Sequence, residues 1–340
     1  MLRFALLTPA AALLTAVLIA CGGGGGGDSP ALPGMSGLPA TGGLVTVEED
    51  LAAFQLLNAE RSRCGFGTLT RNASLDAAAK AHADYQAFYG IVDHLENLST
   101  MPVGFTGSLP SERVIAKGYA PRLADIGPVA DEITALIGTS DKAGLGASGV
   151  RSLLNAPYHL RGLMSGYRDI GVAVRSNADV GSSRPAAYLQ INAAYLRSVG
   201  EQPFPAAEVR TYPCEGVTGV NYRLTNESPN PVPNRDLAVD PLGASVLVAV
   251  RPGNRLVVSS ATFTQVSTGQ RVATRPPIGG SNDPVNPDGR CAEGCFTLSE
   301  AYIAADAPML PDTAYRVNLS GTNNGVAFTR QFSFTTGAGG

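Results

Sequence analysis

The hydrophobic period of this chain changes once, near Cys214, and that change decides what it can fold into. Upstream, apolar residues recur three and four positions apart. "TVEEDLAAFQLLNAERSRCG" carries Leu51, Phe54 and Leu57. "NASLDAAAKAHADYQAFYG" sets Leu75, Ala78, His82, Tyr85 and Tyr89 near one face. That spacing lines one side of an α-helix. Thr46 and Glu49 stand at capping-box spacing, Asn72 or Ser74 can cap the second helix, and Gly65 and Gly90 can end the two. "SLPSERVIAKGY" has a proline suited to a first helical turn, and "DIGPVADEITALIG" and "SGVRSLLNAP" read as further helices. "DIGVAVRS" and "AAYLQINAAYL" then read as strands. Downstream of Cys214, "SVLVAV", "RLVVSSATFTQV", "QRVATR", "TAYRVNLSG" and "VAFTRQFSFTT" are short, rich in Val, Thr and Phe, and separated by "PGN", "TGQ" and "TNNG". Phe332 and Phe334 fall on one face of their strand and Ser333 on the other. The expectation is an α+β fold, helices packed on a sheet, followed by an all-β sandwich.

The N-terminus limits the compartment. "MLRFALLTPAAALLTAVLIAC" has one Arg before an apolar run that is short and alanine-rich for a membrane span. Residues 1–20 read as an export signal. "LIAC" resembles a bacterial lipobox, which implies cleavage before Cys21 and lipidation of its thiol. The chain is then an exported bacterial lipoprotein held to a membrane by its acyl chains. Gly22, in place of an acidic residue, favours the outer membrane or cell surface. An ordinary cleaved signal and an uncleaved anchor helix are the alternatives. Residues 21–47, rich in Gly, Pro and Ser, form a tether. Residues 48–200 and 214–337 suit two domains.

Lys and Arg number 25 against 28 Asp and Glu, and no basic run stands out, so nucleic acid is excluded as an expected partner. With Cys21 lipidated, Cys64, Cys214, Cys291 and Cys295 remain. An even number in an exported chain suggests two disulfides. Of the three pairings, Cys291–Cys295 would staple a turn and Cys64–Cys214 would tie the domains together; these are favoured. A metal site on the C-x-x-x-C pair lacks a nearby histidine. Asp283 and Asp288 could bind calcium, but their spacing departs from an EF-hand and a disulfide-closed loop is simpler.

The blocks "LLNAERSRCGFGTLTRNASLDAAAKAHADYQA", "DHLEN", "GFTGSLPSERVIAKGY" and "NAPYHLRGLMSGYRDIGVAV" occur in that order and resemble the CAP domain, also called SCP-like, in its bacterial branch. The resemblance covers residues 48–198. It implies an α-β-α sandwich with a cleft lined by two histidines and two acidic residues. His94 of "DHLEN" and His159 of "PYHLR" match the histidine positions. Asp125 of "ADI" is the nearest match to one acidic position. The other has no clear match; Asp131 and Glu132 lie nearby and are not assigned. Residues 214–337 resemble bacterial Ig-like domains of surface proteins, which implies a spacer or adhesive module.

Two neutral imidazoles, His94 and His159, can ligate zinc or another divalent cation. Metal-bound water or imidazole can serve hydrolysis. No G-x-S-x-G elbow or H-E-x-x-H helix accompanies them, so the reading leans away from an enzyme. Glu96 can reach the cleft or serve as a solvated loop carboxylate. His82, on an apolar helix face, reads as a hydrogen-bonded core residue, Tyr85 and Tyr89 as packing, and Arg161 as a helix-end cap or local pair in preference to a clamp for an anionic ligand. Three functions follow from the resemblance. The first is a surface binding module for a lipid-like ligand, a metal or a cell-surface protein or glycan. The second is a secreted hydrolase of cell-wall or protein substrates, and the third a structural envelope protein with an inactive cleft.

Overall fold

The computed structural model describes residues 45–286 and 294–338; the signal, Cys21, the tether up to residue 44, Asp288 and Cys291 lie outside them, and residues 45–47, expected in the tether, open the first helix. The N-terminal portion runs α1 (Val45–Arg63), β1 (Thr70–Arg71), α2 (Ala73–Tyr89), α3 (Pro110–Ala116), β2 (Ala130–Ile137), α4 (Leu145–Leu153), α5 (Pro157–Met164), β3 (Asp169–Ser176) and β4 (Ala186–Ala194). The strands form one sheet in the order β1-β3-β4-β2, with β1 parallel to β3 and the other pairs antiparallel.

Period-two alternation gives this sheet two different faces. Ala173 packs with Ala79 and Ala83 of α2, while Val172, Val174, Leu189 and Ile191 join a core with Leu57 of α1 and Val150 and Leu153 of α4. Helices therefore cover both faces. Gly171 permits the close approach of α2, since a Cβ there would lie 1.9 Å from the Leu75 carbonyl carbon. Asn72 caps α2 by accepting from the Ser74 and Leu75 N–H groups, and Gly90 ends it with φ 66°. Glu49 serves a helix other than its own: its two carboxylate oxygens accept from Gly144 N (2.6 Å) and Gly146 N (2.7 Å) at the start of α4.

One element departs from the sequence reading. "DIGPVADEITALIG", expected as a helix, supplies β2. Its residues pair with β4 from Ala130↔Ala193 to Ile137↔Ala186 without interruption. The sheet edge offers a complete set of backbone partners, and β-branched Ile133, Thr134 and Ile137 suit that pleat.

The C-terminal portion contains β5 (Val209–Tyr212), β6 (Val217–Val220), β7 (Ser245–Val250), β8 (Leu256–Gln265), β9 (Arg271–Val272), β10 (Ile278–Gly279), β11 (Glu300–Ala304), β12 (Ala314–Asn323) and β13 (Val326–Thr336). They make a four-stranded sheet, β10-β11-β7-β5, and a five-stranded sheet, β6-β13-β12-β8-β9. The β12–β13 hairpin turns on Asn324 and Gly325, with φ 50° and 81°. Two successive positive φ angles are what a two-residue type I′ turn needs, and "NNG" supplies them. Tyr315, Val317, Leu319, Phe332 and Phe334 are buried along this hairpin. Strand β7 is buried along its whole length. Ser245 hydrogen-bonds Asn155, just before α5, and alternation sends Val246 and Val248 the other way, into the core shared with the five-stranded sheet.

That core is continuous from Leu57 and Leu189 to Val248 and Phe334, and Gly43–Gly340 forms one compact unit. A disulfide joins Cys64, after α1, to Cys214, after β5, with Cα atoms 5.5 Å apart. Cys295 is disulfide-bonded as well. The Cys64–Cys214 bond closes a segment of 150 residues. A loop of that length gives about 5 kcal/mol in the chain-entropy picture, and removal of native disulfides costs about 2–5 kcal/mol. Replacing both cysteines by serine is expected to lower unfolding stability within that range. Urea denaturation measures it, and an unmoved midpoint would contradict the expectation.

Candidate functional site

Helix α5 carries His159, and it is fixed at both ends by other elements. Pro157 opens the helix where a missing N–H costs nothing. The cap residue, Ala156, has no side chain able to accept, and Glu227 takes that role: its Oε1 accepts from Tyr158 N at 3.1 Å. At the far end, fully buried Arg61 donates to the Leu163 and Ser165 carbonyls at 2.5 and 2.9 Å, and to Phe66 and Gly67. Gly162 lets α5 lie on β2, since a Cβ there would fall 1.8 Å from Glu132 Oε1.

His94 sits in the loop between α2 and α3, and side chains of α2 hold that loop. Tyr85 and Tyr89 hydroxyls accept from Asn97 N and Val103 N at 2.9 and 2.7 Å. His82 is fully buried with both ring nitrogens engaged, Nδ1 to Glu96 Oε1 (3.0 Å) and Nε2 to the Asp93 carbonyl (2.9 Å). Glu96 also accepts from Thr106 N and Gly107 N. Burial alone would raise the Glu96 carboxyl, but these bonds and the Arg113 charge hold it below its ordinary value.

The His94 and His159 rings face each other with centroids 6.1 Å apart. Each spends its Nδ1 on a carboxylate: His94 on Asp131 Oδ2 (3.0 Å), His159 on Glu227 Oε2 (3.1 Å). Asp131 also accepts from Arg113 (3.0 Å), Gln190 (2.7 Å) and Asn192 (2.6 Å). Burial would raise the Asp131 carboxyl, yet the His94 bond and the Arg113 charge hold it well below the usual carboxylate range. The Asp131 bond in turn raises His94, against the effect of burial. Burial pulls the His159 imidazole down, but the Glu227 bond and the charges of Glu227, Glu132 and Asp131 prevail and lift it to about 9. Glu132, with Oε2 4.0 Å from His159 Nε2, has little hydrogen-bond compensation. Burial pushes it to about 7, against the pull of the two histidines.

The structure thus brings together His94 and His159, and adds Asp131, Glu132 and Glu227. Asp125 does not line the cleft; it ends a 3-10 turn, where Arg122 binds both its oxygens at 3.0 and 3.1 Å. Glu96 lies in the buried loop network and not among the cleft-lining residues. Arg161 does line the cleft, bound to Glu300 at 2.8 Å. Asp283 is buried and committed to the Tyr158 hydroxyl and to the Val285 and Phe296 N–H groups. Reading "ADEI" as a strand would have placed Asp131 and Glu132 on the sheet. Glu227 has no comparable signal, lying 68 residues beyond His159.

Among the described residues, neither Nε2 accepts or donates a hydrogen bond, and the contact of His159 Nε2 with Glu132 is at 4.0 Å. Among the described residues, no three His, Cys, Asp or Glu donors converge so as to hold a metal ion. Among the same residues, neither imidazole hydrogen-bonds a serine, threonine or cysteine side chain.

Two cavities meet here. One, of about 570 Å³, has walls that include Phe66, Leu109, Val129, Tyr158, Met164 and Phe204. The other, of about 500 Å³, is lined by Asn221, Arg223, Thr225, Asn226 and Glu227, with several apolar residues beneath. His94, His159 and Ser228 line both.

No protein-family model and no curated protein matches the sequence. Sixteen chains in solved structures show similarity, among them the two that follow. An outer surface protein from Borrelia burgdorferi is 15% identical with a TM-score of 0.33, over 44% of this chain and 93% of that one. An extracellular protein containing a SCP domain from Bacillus anthracis is 18% identical with a TM-score of 0.32, over 44% of this chain and 41% of that one.

The site sets a pH dependence of stability. His159 is raised to about 9 in the fold, from about 6.5 in an unfolded chain. Its contribution is complete below about pH 6.5 and disappears as pH rises through about 9. Glu132, raised to about 7, acts in the same direction at lower pH. Calorimetry is expected to give a melting temperature several degrees higher at about pH 6 than at about pH 9.5, with the alkaline fall flattened in His159→Gln. Equal melting temperatures at the two pH values would contradict the assignment.

Proposed function

We propose that the chain is an exported, membrane-tethered binding module of CAP type whose cleft takes a small lipid-like amphiphile. The supporting observation is the meeting of two unlike cavities at one pair of imidazoles. The chamber of about 570 Å³ sets Phe66, Leu109, Val129, Met164 and Phe204 among the charged Asp131, Glu132, Arg161, Arg210 and Glu300, and its apolar wall suits the body of an amphiphile. The adjoining chamber, with Asn221, Thr225 and Asn226 on its wall, suits a polar head. His94 and His159 stand at the junction and offer Nε2 groups to whatever polar atom lies between. Residues 21–47 would then carry this cleft at a distance from the bilayer, with lipid on Cys21 as the anchor. The C-terminal sheets, read as Ig-like, would brace α5 and close one side of the cleft. Zinc is a competing occupant to be tested alongside the amphiphile.

The coupling of Glu132, at about 7, with His159, at about 9, favours one second reading. A carboxyl that changes protonation near neutrality can serve general acid–base catalysis, and so hydrolysis of a cell-wall or protein substrate. That reading requires turnover lost in His94→Ala while the variant still folds, since loss of the His94–Asp131 bond lowers stability by itself.

A ligand that binds only the native state at ten times its Kd stabilises it by about 1.4 kcal/mol, a rise of a few degrees in melting temperature. Dodecanoate is expected to produce that rise in the wild type. Leu109 lines the first chamber and is 48% exposed, so Leu109→Asp can be made without disturbing the core. In that variant the rise is expected to vanish while the ligand-free melting temperature stays within about a degree. An equal rise in both proteins would place the ligand elsewhere, and no rise in either would remove the amphiphile reading.

A further inference from the structure

We infer that Glu227, supplied by the C-terminal portion, is the positioning residue that fixes the tautomer and direction of His159, so that the cleft is complete only when the two portions are joined. This deepens the binding reading and rests on it for its functional meaning; the geometry stands independently.

Four observations carry the inference. Glu227 is buried, with its side chain 1% exposed. Its two oxygens lie 3.3 and 3.1 Å from His159 Nδ1. Oε1 also accepts from Tyr158 N, at 3.1 Å, so one carboxylate holds the helix start and the ring borne one residue later. The loop between β6 and β7 that carries Glu227 is itself bound to the N-terminal portion, through Asn155 Nδ2 to the Arg223 carbonyl (2.9 Å). Directly after this loop, Asn155 Oδ1 accepts from Ser245 N (3.0 Å).

The other groups facing His159 cannot replace Glu227. Glu132 and Asp131 come from β2, and Glu132 approaches the Nε2 side, at 4.0 Å. His94 comes from the α2–α3 loop, with its own Nδ1 held by Asp131. Arg161, two residues along the same helix, is paired with Glu300. Among the described residues, only Glu227 holds Nδ1. A neutral imidazole with Nδ1–H donated to a carboxylate presents a bare Nε2 acceptor, and in the charged form it presents Nε2–H. In either state the group offered to the cleft is set by a residue far along the chain. The arrangement repeats the His94–Asp131 pair, and the cleft therefore holds two imidazoles with the same nitrogen presented.

Nitrogen-15 NMR of histidine side chains tests this on the full mature chain, which has three histidines to assign. At a pH high enough to neutralise His159, the wild type is expected to show it in the Nδ1–H tautomer. In Glu227→Ala it is expected to revert to the Nε2–H tautomer that a free histidine side chain prefers. Glu227→Gln, which keeps an acceptor of the same shape, is expected to retain Nδ1–H and guards against a misfolded alanine variant. Ser245→Ala weakens the same junction without touching the ring, and His159 is expected to keep its tautomer. An Nε2–H tautomer in the wild type would overturn the inference, as would an unchanged His159 in a folded Glu227→Ala protein. A change in Ser245→Ala equal to that in Glu227→Ala would overturn it too, reducing Glu227 to a general brace. A wild type that fails to bind dodecanoate would instead defeat the binding reading and leave these tautomer results intact.

Discussion

A carboxylate removed from water has to be matched by donors, and Asp131 is where this fold meets that requirement. The residue is 8% exposed and accepts from four side chains. Those donors come from unrelated parts of the chain: His94 from the α2–α3 loop, Arg113 from α3, and Gln190 and Asn192 from the neighbouring strand β4. Breaking a buried pair of this kind leaves an uncompensated charge and costs about 3–5 kcal/mol. The arrangement thus does two things. It fastens the loop and α3 to the face of the sheet that α2 covers, and it sets the orientation of the first cleft imidazole. Behind it, His82 and Glu96 fix the remainder of the loop by the same means, but with both nitrogens of His82 used up. Two similar-looking histidines therefore part in role, one structural and one open to the cleft.

The second imidazole depends on the other half of the chain. Its helix is short, and its end groups are satisfied by Arg61 on one side and by Glu227 on the other. Strand β7 lies beneath it, buried on both faces because the N-terminal portion covers one and the five-stranded sheet the other. The continuous core and the Cys64–Cys214 bond make the C-terminal sheets part of the cleft wall, where Leu247, Ala249 and Thr297 line the larger cavity. Residues of both portions therefore line the same cavity.

The sequence made some of this visible. His94 and His159 stand in blocks whose order carries the family resemblance, and the structure sets their rings together. The alternation in "RQFSFTT" put Phe332 and Phe334 on one face, and both are buried. The acidic partners were harder to see, for reasons that differ. "ADEITALIG" satisfies a helical pattern about as well as a strand pattern, and only the β4 edge, far later in the chain, decides between them. Asp125 is the nearest match to an acidic position, but Arg122, three residues earlier, is within reach and binds it locally. Glu227 sits in "TNESPN", a stretch with the marks of an ordinary surface loop; its burial is a consequence of tertiary packing alone. Long-range electrostatic partners of this kind leave no local pattern in a single sequence.

His94 and His159 line the same two cavities, and His82 lines neither. The most direct measurement is proton NMR of the three imidazole rings during titration with dodecanoate. The account predicts that the His94 and His159 signals move together along one binding curve and that His82 stays fixed. Movement of His82 alone, or of His94 and His159 with different affinities, would contradict it.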